Sequence, residues 1–267
     1  MDNRSQEFDR LGVSDWGGSG PPILLLHGLM GRGRAWAPHV DWLREYGRVF
    51  TLDAAWHRGR EVTEAPDAQN MRTERFVADA ADALEAIGSG PAIVIGHSMG
   101  GLHAWCLAAA RPDLVAAIVV EDMAPDFQGQ TTQPWDAWFD SWPVEFTDKS
   151  QVMGMFGEVA GNYFLDSFDR TDAGWRLHGE IVHWREVAQH WGTRDYWAQW
   201  AAVSAPALLI EAEFSLAPAG QIQRMAEMPR SGVARHVRVD GAGHLVQADA
   251  PEVYRGAVEA FLSEVLG

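Results

Sequence analysis

Residues 91–101 read Pro91-Ala92-Ile93-Val94-Ile95-Gly96-His97-Ser98-Met99-Gly100-Gly101. A short apolar run, then Gly-x-Ser-x-Gly, then a helical segment is the pattern of a nucleophile elbow. The chain turns so sharply between strand and helix that the serine side chain projects at the top of a sheet. Glycines flank the turn because a side chain there would strike the neighbouring strand or helix. Leu102–Arg111 continues as a helix that Pro112 stops. On this reading Ser98 is a positioned nucleophile.

Working outward, the turn cluster Gly17–Pro22 launches a strand over 23–26. A helix is predicted over 34–46, with Trp36, Val40, Leu43 and Tyr46 on one face. A strand follows at 48–52, then a polar loop over 54–70, then a helix over 73–87 with Thr73 as its cap. Residues 115–120 form another buried strand. After Asp122 the alternation breaks: 125–200 shows no convincing buried strand, yet holds eight of the 13 tryptophans. Strand–helix order resumes with a strand at 206–210, a helix over 218–228 and a strand at 236–239. A final helix starts at Pro251, with Asp249 as its cap, and runs to Val265.

Alternating helices and near-continuous apolar strands predict an α/β fold: a mostly parallel sheet with helices on both faces. The core is expected over 1–124 and 201–267, with 125–200 as a helical cap inserted between two strands. Such a cap sits over the carboxyl edge of the sheet, where open α/β folds bind ligands.

Composition narrows the class. The 267 residues are 47% hydrophobic, enough for a large core, and contain no run of 18 apolar residues. The polar N-terminus lacks the apolar stretch of a signal peptide, and the single cysteine forbids an intrachain disulfide, so a cytoplasmic location is expected. A net charge of −16, from 37 acidic and 21 basic residues, argues against nucleic acid and against an anionic membrane as partners. Nothing in the sequence fixes the oligomeric state.

Two further segments carry chemistry. His27-Gly28-Leu29-Met30-Gly31 follows the strand at 23–26. Acyl transfer needs two backbone N–H groups aimed at the developing oxyanion. Met99, after the nucleophile, supplies one and Leu29 the other. His27 and His97 read as structural rather than basic. Gly241-Ala242-Gly243-His244-Leu245 follows the last strand, and a histidine on such a loop can reach over the nucleophile as general base. His178, His183 and His190 lack a carboxylate in ligand register, so no metal is expected.

The elbow, the His-Gly loop and the Gly-x-Gly-His loop, in this order, resemble the α/β-hydrolase superfamily over nearly the whole chain outside the insertion. Most members carry the triad aspartate shortly after the strand that resumes the core. Here that stretch is Ile210-Glu211-Ala212-Glu213-Phe214-Ser215, with a serine at the aspartate's offset. Asp122, ending the strand after the elbow helix, is the favoured acid, with Glu121 and Glu213 as alternatives. The chain is similar to a group of small bacterial serine esterases with a Ser-Asp-Ser-His arrangement: Ser98, Asp122, Ser215, His244.

The resemblance implies a cofactor-free serine hydrolase, foremost a carboxylesterase acting on an uncharged apolar ester through an acyl-enzyme. Trp135, Trp138 and Trp184 of the cap are the expected substrate-binding residues. The alternatives are a carbon–carbon bond hydrolase or lyase with the same triad, and a ligand-sensing protein on a hydrolase fold.

Overall fold

Leu24 and Leu26 face one side of the central sheet while Ile23 and Leu25 face the other, and all four are buried. This period-2 alternation with both faces covered is what the apolar runs require. In the computed structural model, which describes residues 3–60, 62–130 and 133–267, seven strands form one sheet. The outermost residues of the polar N-terminus, one position of the 54–70 loop and residues 131–132 of the insertion lie outside the described residues.

In chain order the strands are β1 (Val13–Gly17), β2 (Pro22–Leu26), β3 (Arg48–Leu52), β4 (Ala92–His97) and β5 (Val115–Glu121). β6 (Phe168–Arg170) and β7 (Trp175–Leu177) pair only with each other, and β8 (Ala207–Phe214) and β9 (Ala234–Gly243) complete the main sheet. Its order is β1-β3-β2-β4-β5-β8-β9, with β1 antiparallel and the rest parallel. The helices are α1 (Asn3–Leu11), α2 (Ala37–Leu43), α3 (Thr73–Ile87), α4 (Met99–Ala110), α5 (Gln133–Asp140), α6 (Lys149–Ser167), α7 (Ile181–Gly192), α8 (Trp197–Ala202), α9 (Gln221–Glu227), α10 (Val246–Asp249) and α11 (Pro251–Leu266).

Several boundaries differ from the sequence reading. The helix expected over 34–46 is a 3₁₀ turn, Gly33–Trp36, followed by α2, with Pro38 in its first turn. Thr73 does not cap α3; its hydroxyl pairs with the Tyr196 hydroxyl at 2.8 Å. Asp249 does not cap α11 either. It closes α10, and its carboxylate accepts the Gly243 N–H at 2.9 Å. The edge strand β1 and the short β6–β7 hairpin were not foreseen.

Parallel register builds the site's platform. Leu26 pairs with Gly96, His97 with Glu121, Glu121 with Ile210, and Phe214 with Gly243. Ser98 and Asp122 therefore leave neighbouring strands at one level, and Ser215 and His244 do so at the next. The chain between β5 and β8 holds α5–α8 and the β6–β7 hairpin. Its two ends meet where Asp126 bridges Asp195 and the Tyr196 N–H reaches the Pro125 carbonyl at 2.8 Å.

Candidate active site

Ser98 sits at φ 50°, ψ −119°, a conformation few L-residues adopt. Its N–H donates to the Glu121 carbonyl at 2.9 Å, and its own carbonyl accepts from Leu102 at 3.1 Å, opening α4. The turn closes only because its neighbours lack side chains. A Cβ on Gly96 would collide with the Gly100 backbone, and one on Gly100 with the Leu26 carbonyl. Met99, next to Ser98, is fully buried at the first position of α4.

Asp122 also has a positive φ, 45°, and its carboxylate is completely enclosed. His244 Nδ1 donates to Asp122 Oδ2 at 2.6 Å. The other carboxylate oxygen accepts the Ala212 N–H at 3.0 Å. Burial pushes Asp122 up, but the His244 hydrogen bond and charge, the Ser215 hydroxyl and the Ala212 amide outweigh it and hold the carboxyl below its usual value. Ser215 also accepts the Ala217 N–H at 2.9 Å. An imidazole whose Nδ1–H is committed to a buried carboxylate leaves Nε2 as its proton acceptor.

The other acids near His244 are engaged elsewhere. Glu213 accepts the Gly241 N–H at 2.6 Å, and Glu211 receives His236 Nε2 at 2.6 Å. Glu121, the last residue of β5, is engaged at the start of α10. Its Oε1 accepts the Gln247 N–H at 3.0 Å, at the start of α10. Its carboxyl is wholly buried, and burial and the Asp122 charge hold it well above the usual carboxylate value, against the pull of the α10 amides.

The loop after β2 is held from beneath. His27 Nδ1 donates to the Gly28 carbonyl at 2.8 Å while its Nε2 accepts the Ala54 N–H at 3.0 Å, so the ring is neutral. Burial keeps its pKa below normal. Asp53 Oδ1 accepts the Gly33 N–H at 2.6 Å. Met30 adopts φ 59°, and the Gly31 N–H closes a turn on the Gly28 carbonyl at 3.0 Å, with Leu29 buried between them. His97 Nε2 donates to the His244 carbonyl at 3.0 Å, and burial brings its pKa down to about 3. It braces the His244 loop as an uncharged ring.

The cap tryptophans mostly meet one another. Trp135 stands edge-on to Trp191 at 6.1 Å, and Trp138 contacts Phe139, Trp142, Phe156 and Phe164. Trp184 lies on His57 at 4.4 Å, and His57 lies on His27 at 4.9 Å, so only Trp184 of the three connects by ring contacts to the His27 loop. One residue at the site was not read from the sequence, and another has a different place from the one considered. Glu121, an alternative acid in the sequence, meets the Gln247 amide and not His244. Tyr163, on α6, places its hydroxyl between Gly28 and Gly31, and no local pattern marks it. His178 pairs with Asp169 at 2.9 Å and His190 with Glu74 at 3.5 Å. Among the described residues, no three or more His, Cys, Asp or Glu side chains group as metal ligands.

Comparison with known proteins places the chain in a family. The chain is 25% identical over 264 residues to an (E)-2-((N-methylformamido)methylene)succinate hydrolase of Acinetobacter baylyi, covering 92% of this chain and 91% of that one. It is 25% identical over 256 residues to a 2-(acetamidomethylene)succinate hydrolase of Mesorhizobium japonicum, covering 92% and 89%. The crystal structure of an E-2-(acetamidomethylene)succinate hydrolase shares the fold, with a TM-score of 0.80, 21% identity and 94% of each chain covered. The model of the alpha/beta hydrolase family matches residues 23–257, and the chain belongs to that family.

Proposed function

We propose that this hydrolase cleaves an uncharged carboxylic ester through a serine acyl-enzyme. Ser98 Oγ attacks the carbonyl as His244 Nε2 takes its proton. Asp122 keeps the imidazole in the required tautomer and stabilises the imidazolium. The Leu29 and Met99 amides hold the oxyanion. His244 then protonates the leaving alcohol, and water, activated by the same base, cleaves the acyl-enzyme. Ser215 braces Asp122 and residues 125–200 act as the cap, in which the buried Trp184 reaches the His27 loop only through the His57 ring. The mechanism calls for no cofactor. The observation that carries the reading is the 2.6 Å hydrogen bond from His244 to a fully enclosed Asp122, at the sheet edge where Ser98 occupies its strained turn.

A second reading uses the same residues on another bond, the carbon–carbon alternative included. It is favoured by the relatives that span nine-tenths of the chain, which are hydrolases of acylaminomethylene succinates. One panel separates the two: p-nitrophenyl esters of graded length against 2-(acetamidomethylene)succinate. Ester turnover that is lost in Ser98→Ala supports the first reading. Turnover of the succinate with inert esters transfers the proposal to the second.

A further inference from the structure

A cleft of about 500 Å³ opens where α6 meets α2 and the α10–α11 corner. Its walls include Pro38, Trp42, Tyr163, Gln247 and Arg255, and none of the three tryptophans expected to bind substrate. Tyr163 divides this cleft from the catalytic centre. Its ring is partly exposed, while its hydroxyl is buried in the space that Gly28 and Gly31 leave open. A Cβ on Gly28 would lie 3.1 Å from that hydroxyl and 2.6 Å from His97 Nδ1. His97 in turn holds the His244 carbonyl. One ring therefore separates the cleft from the loop that supplies the Leu29 amide.

One buried polar atom in these walls has no partner, the Gln247 side-chain oxygen, while the Tyr163 hydroxyl rests against the Gly28 backbone. Buried polar groups are nearly always paired, so an orphan in the wall of a cleft marks what a ligand would satisfy. The α6 wall is also broken in the middle. Gly157, at φ 79° and ψ 173°, splits α6 into two helical pieces, and nothing lies within 4 Å of where its Cβ would be. The second piece carries Tyr163 and ends at Asp166. Phe164 and Leu165 anchor this piece in the core, and at Asp166 it adds one hydrogen bond from Arg58 to the Asp166 carbonyl, at 2.8 Å, and long ion pairs of 4.0 and 3.9 Å to Arg32 and Arg34, so the Tyr163 ring rather than the helix is the part free to turn.

We propose that this cleft binds and admits the larger half of the substrate, with Tyr163 as its gate and specificity-determining residue. The proposal rests on Ser98 being the nucleophile. The chemistry of the walls sets the ligand class. Both arginines are already paired, Arg34 with Asp166 at 3.9 Å and Arg255 with Glu259 at 2.9 Å, and Glu252 adds a negative charge. No spare cation is left to attract an anion. Trp42 and Pro38 offer apolar surface, the exposed part of the Tyr163 ring adds to it, and the Gln247 oxygen accepts an N–H or O–H. The fitting group is uncharged and amphipathic, with an alkyl or aryl body and a hydrogen-bonding amide or hydroxyl. A dicarboxylate is disfavoured.

The test plugs the cleft after folding is complete. Asn162 is an exposed wall residue, and the one native thiol, Cys106, is buried with its pKa pushed up by that burial. Asn162→Cys is modified with methanethiosulfonates of increasing size and then reduced. A bulky adduct should lower kcat/KM for a hydroxyalkyl or amide-bearing aryl ester at least about tenfold, the scale of a lost pocket contact. It should leave p-nitrophenyl acetate within about threefold, and dithiothreitol should restore the loss. The same adduct on Val144→Cys, an 86% exposed cap position, should change nothing. Tyr163→Ala should raise the large-to-small ester ratio at least about fivefold. A fully modified Asn162→Cys enzyme with unchanged kinetics, or an unchanged ratio in Tyr163→Ala, overturns the proposal. Reaction with a small fluorophosphonate is followed in parallel. Failure of the unmodified enzyme to label at Ser98 sinks the serine reading itself, and is thereby distinguished from failure of the cleft.

Discussion

At the scale of single residues, two adjacent carboxyls at the end of β5 take opposite roles. Asp122, in the left-handed turn just past the strand, meets His244, and Glu121, the last residue of the strand, meets the start of α10. Asp122→Asn is expected to preserve the fold and lower turnover about 10⁴-fold, because an amide favours the wrong imidazole tautomer. Ser215→Ala should cost only about 1–3 kcal/mol in kcat/KM, as the loss of one buried hydrogen-bond partner. Glu213→Gln should be mild, since that carboxylate serves the Gly241 amide. Steady-state kinetics on the three variants check the ranking, and a crippled Glu213→Gln beside an active Asp122→Asn would reverse the assignment.

Glu121 predicts a pH effect of opposite sign to that of Asp122. Asp122, held below its usual value, adds stability above the unfolded carboxylate pKa, near 3.9, and loses it as pH falls. Glu121, raised by burial, keeps its proton in the folded state where the unfolded chain has lost it. Stability therefore falls as pH rises from about 4.3 towards the folded pKa, by about 1.4 kcal/mol per unit. Glu121→Gln should remove that slope and raise the melting temperature at pH 8. A thermal-unfolding series from pH 5 to 9 checks this, and an unaltered slope would count against a protonated Glu121.

Among elements, the elbow is the most constrained. Gly100→Ala drives a methyl group into the Leu26 carbonyl, and neither backbone can yield. Overpacking of this kind costs about 1–3 kcal/mol, and each kcal/mol lowers the melting temperature by about 2–4 °C in a chain of this size. Calorimetry of Gly100→Ala should show that drop together with lost activity. Fully buried strands were legible because both faces are apolar: β2, β4 and the starts of β5 and β8 appear as unbroken runs. β1 was not, because Val13 is the only buried residue of Val-Ser-Asp-Trp-Gly on an antiparallel edge. The β6–β7 hairpin has three residues per strand, too few for a period. In α6 the break at Gly157 interrupts any 3.6-residue pattern. Ser98, His244 and the His27 loop were legible because glycines at fixed offsets surround them. Tyr163 and the engagement of Glu121 with α10 are set by packing between distant segments and leave no local trace.

Over the whole molecule, parallel strands bring the ends of β2, β4, β5, β8 and β9 to one edge, and the 125–200 segment is clamped at its base beside that edge. Among the described residues no helix is long and apolar enough to cross a membrane. The insertion's rings, from Trp138 and Trp142 to Phe164 and Phe168, pack continuously with one of the two core layers. The 125–200 segment and the sheet are thus expected to unfold together, a single transition by both tryptophan fluorescence and far-UV circular dichroism. The central claim is that Ser98, activated by His244 and Asp122, is the nucleophile. It is tested most directly by reacting the purified protein with a fluorophosphonate and mapping the adduct by mass spectrometry while following ester hydrolysis. One adduct per chain on Ser98, accumulating in step with loss of activity, is the predicted result. Full ester turnover with Ser98 unlabelled, or an inactivating adduct on another residue, would contradict it.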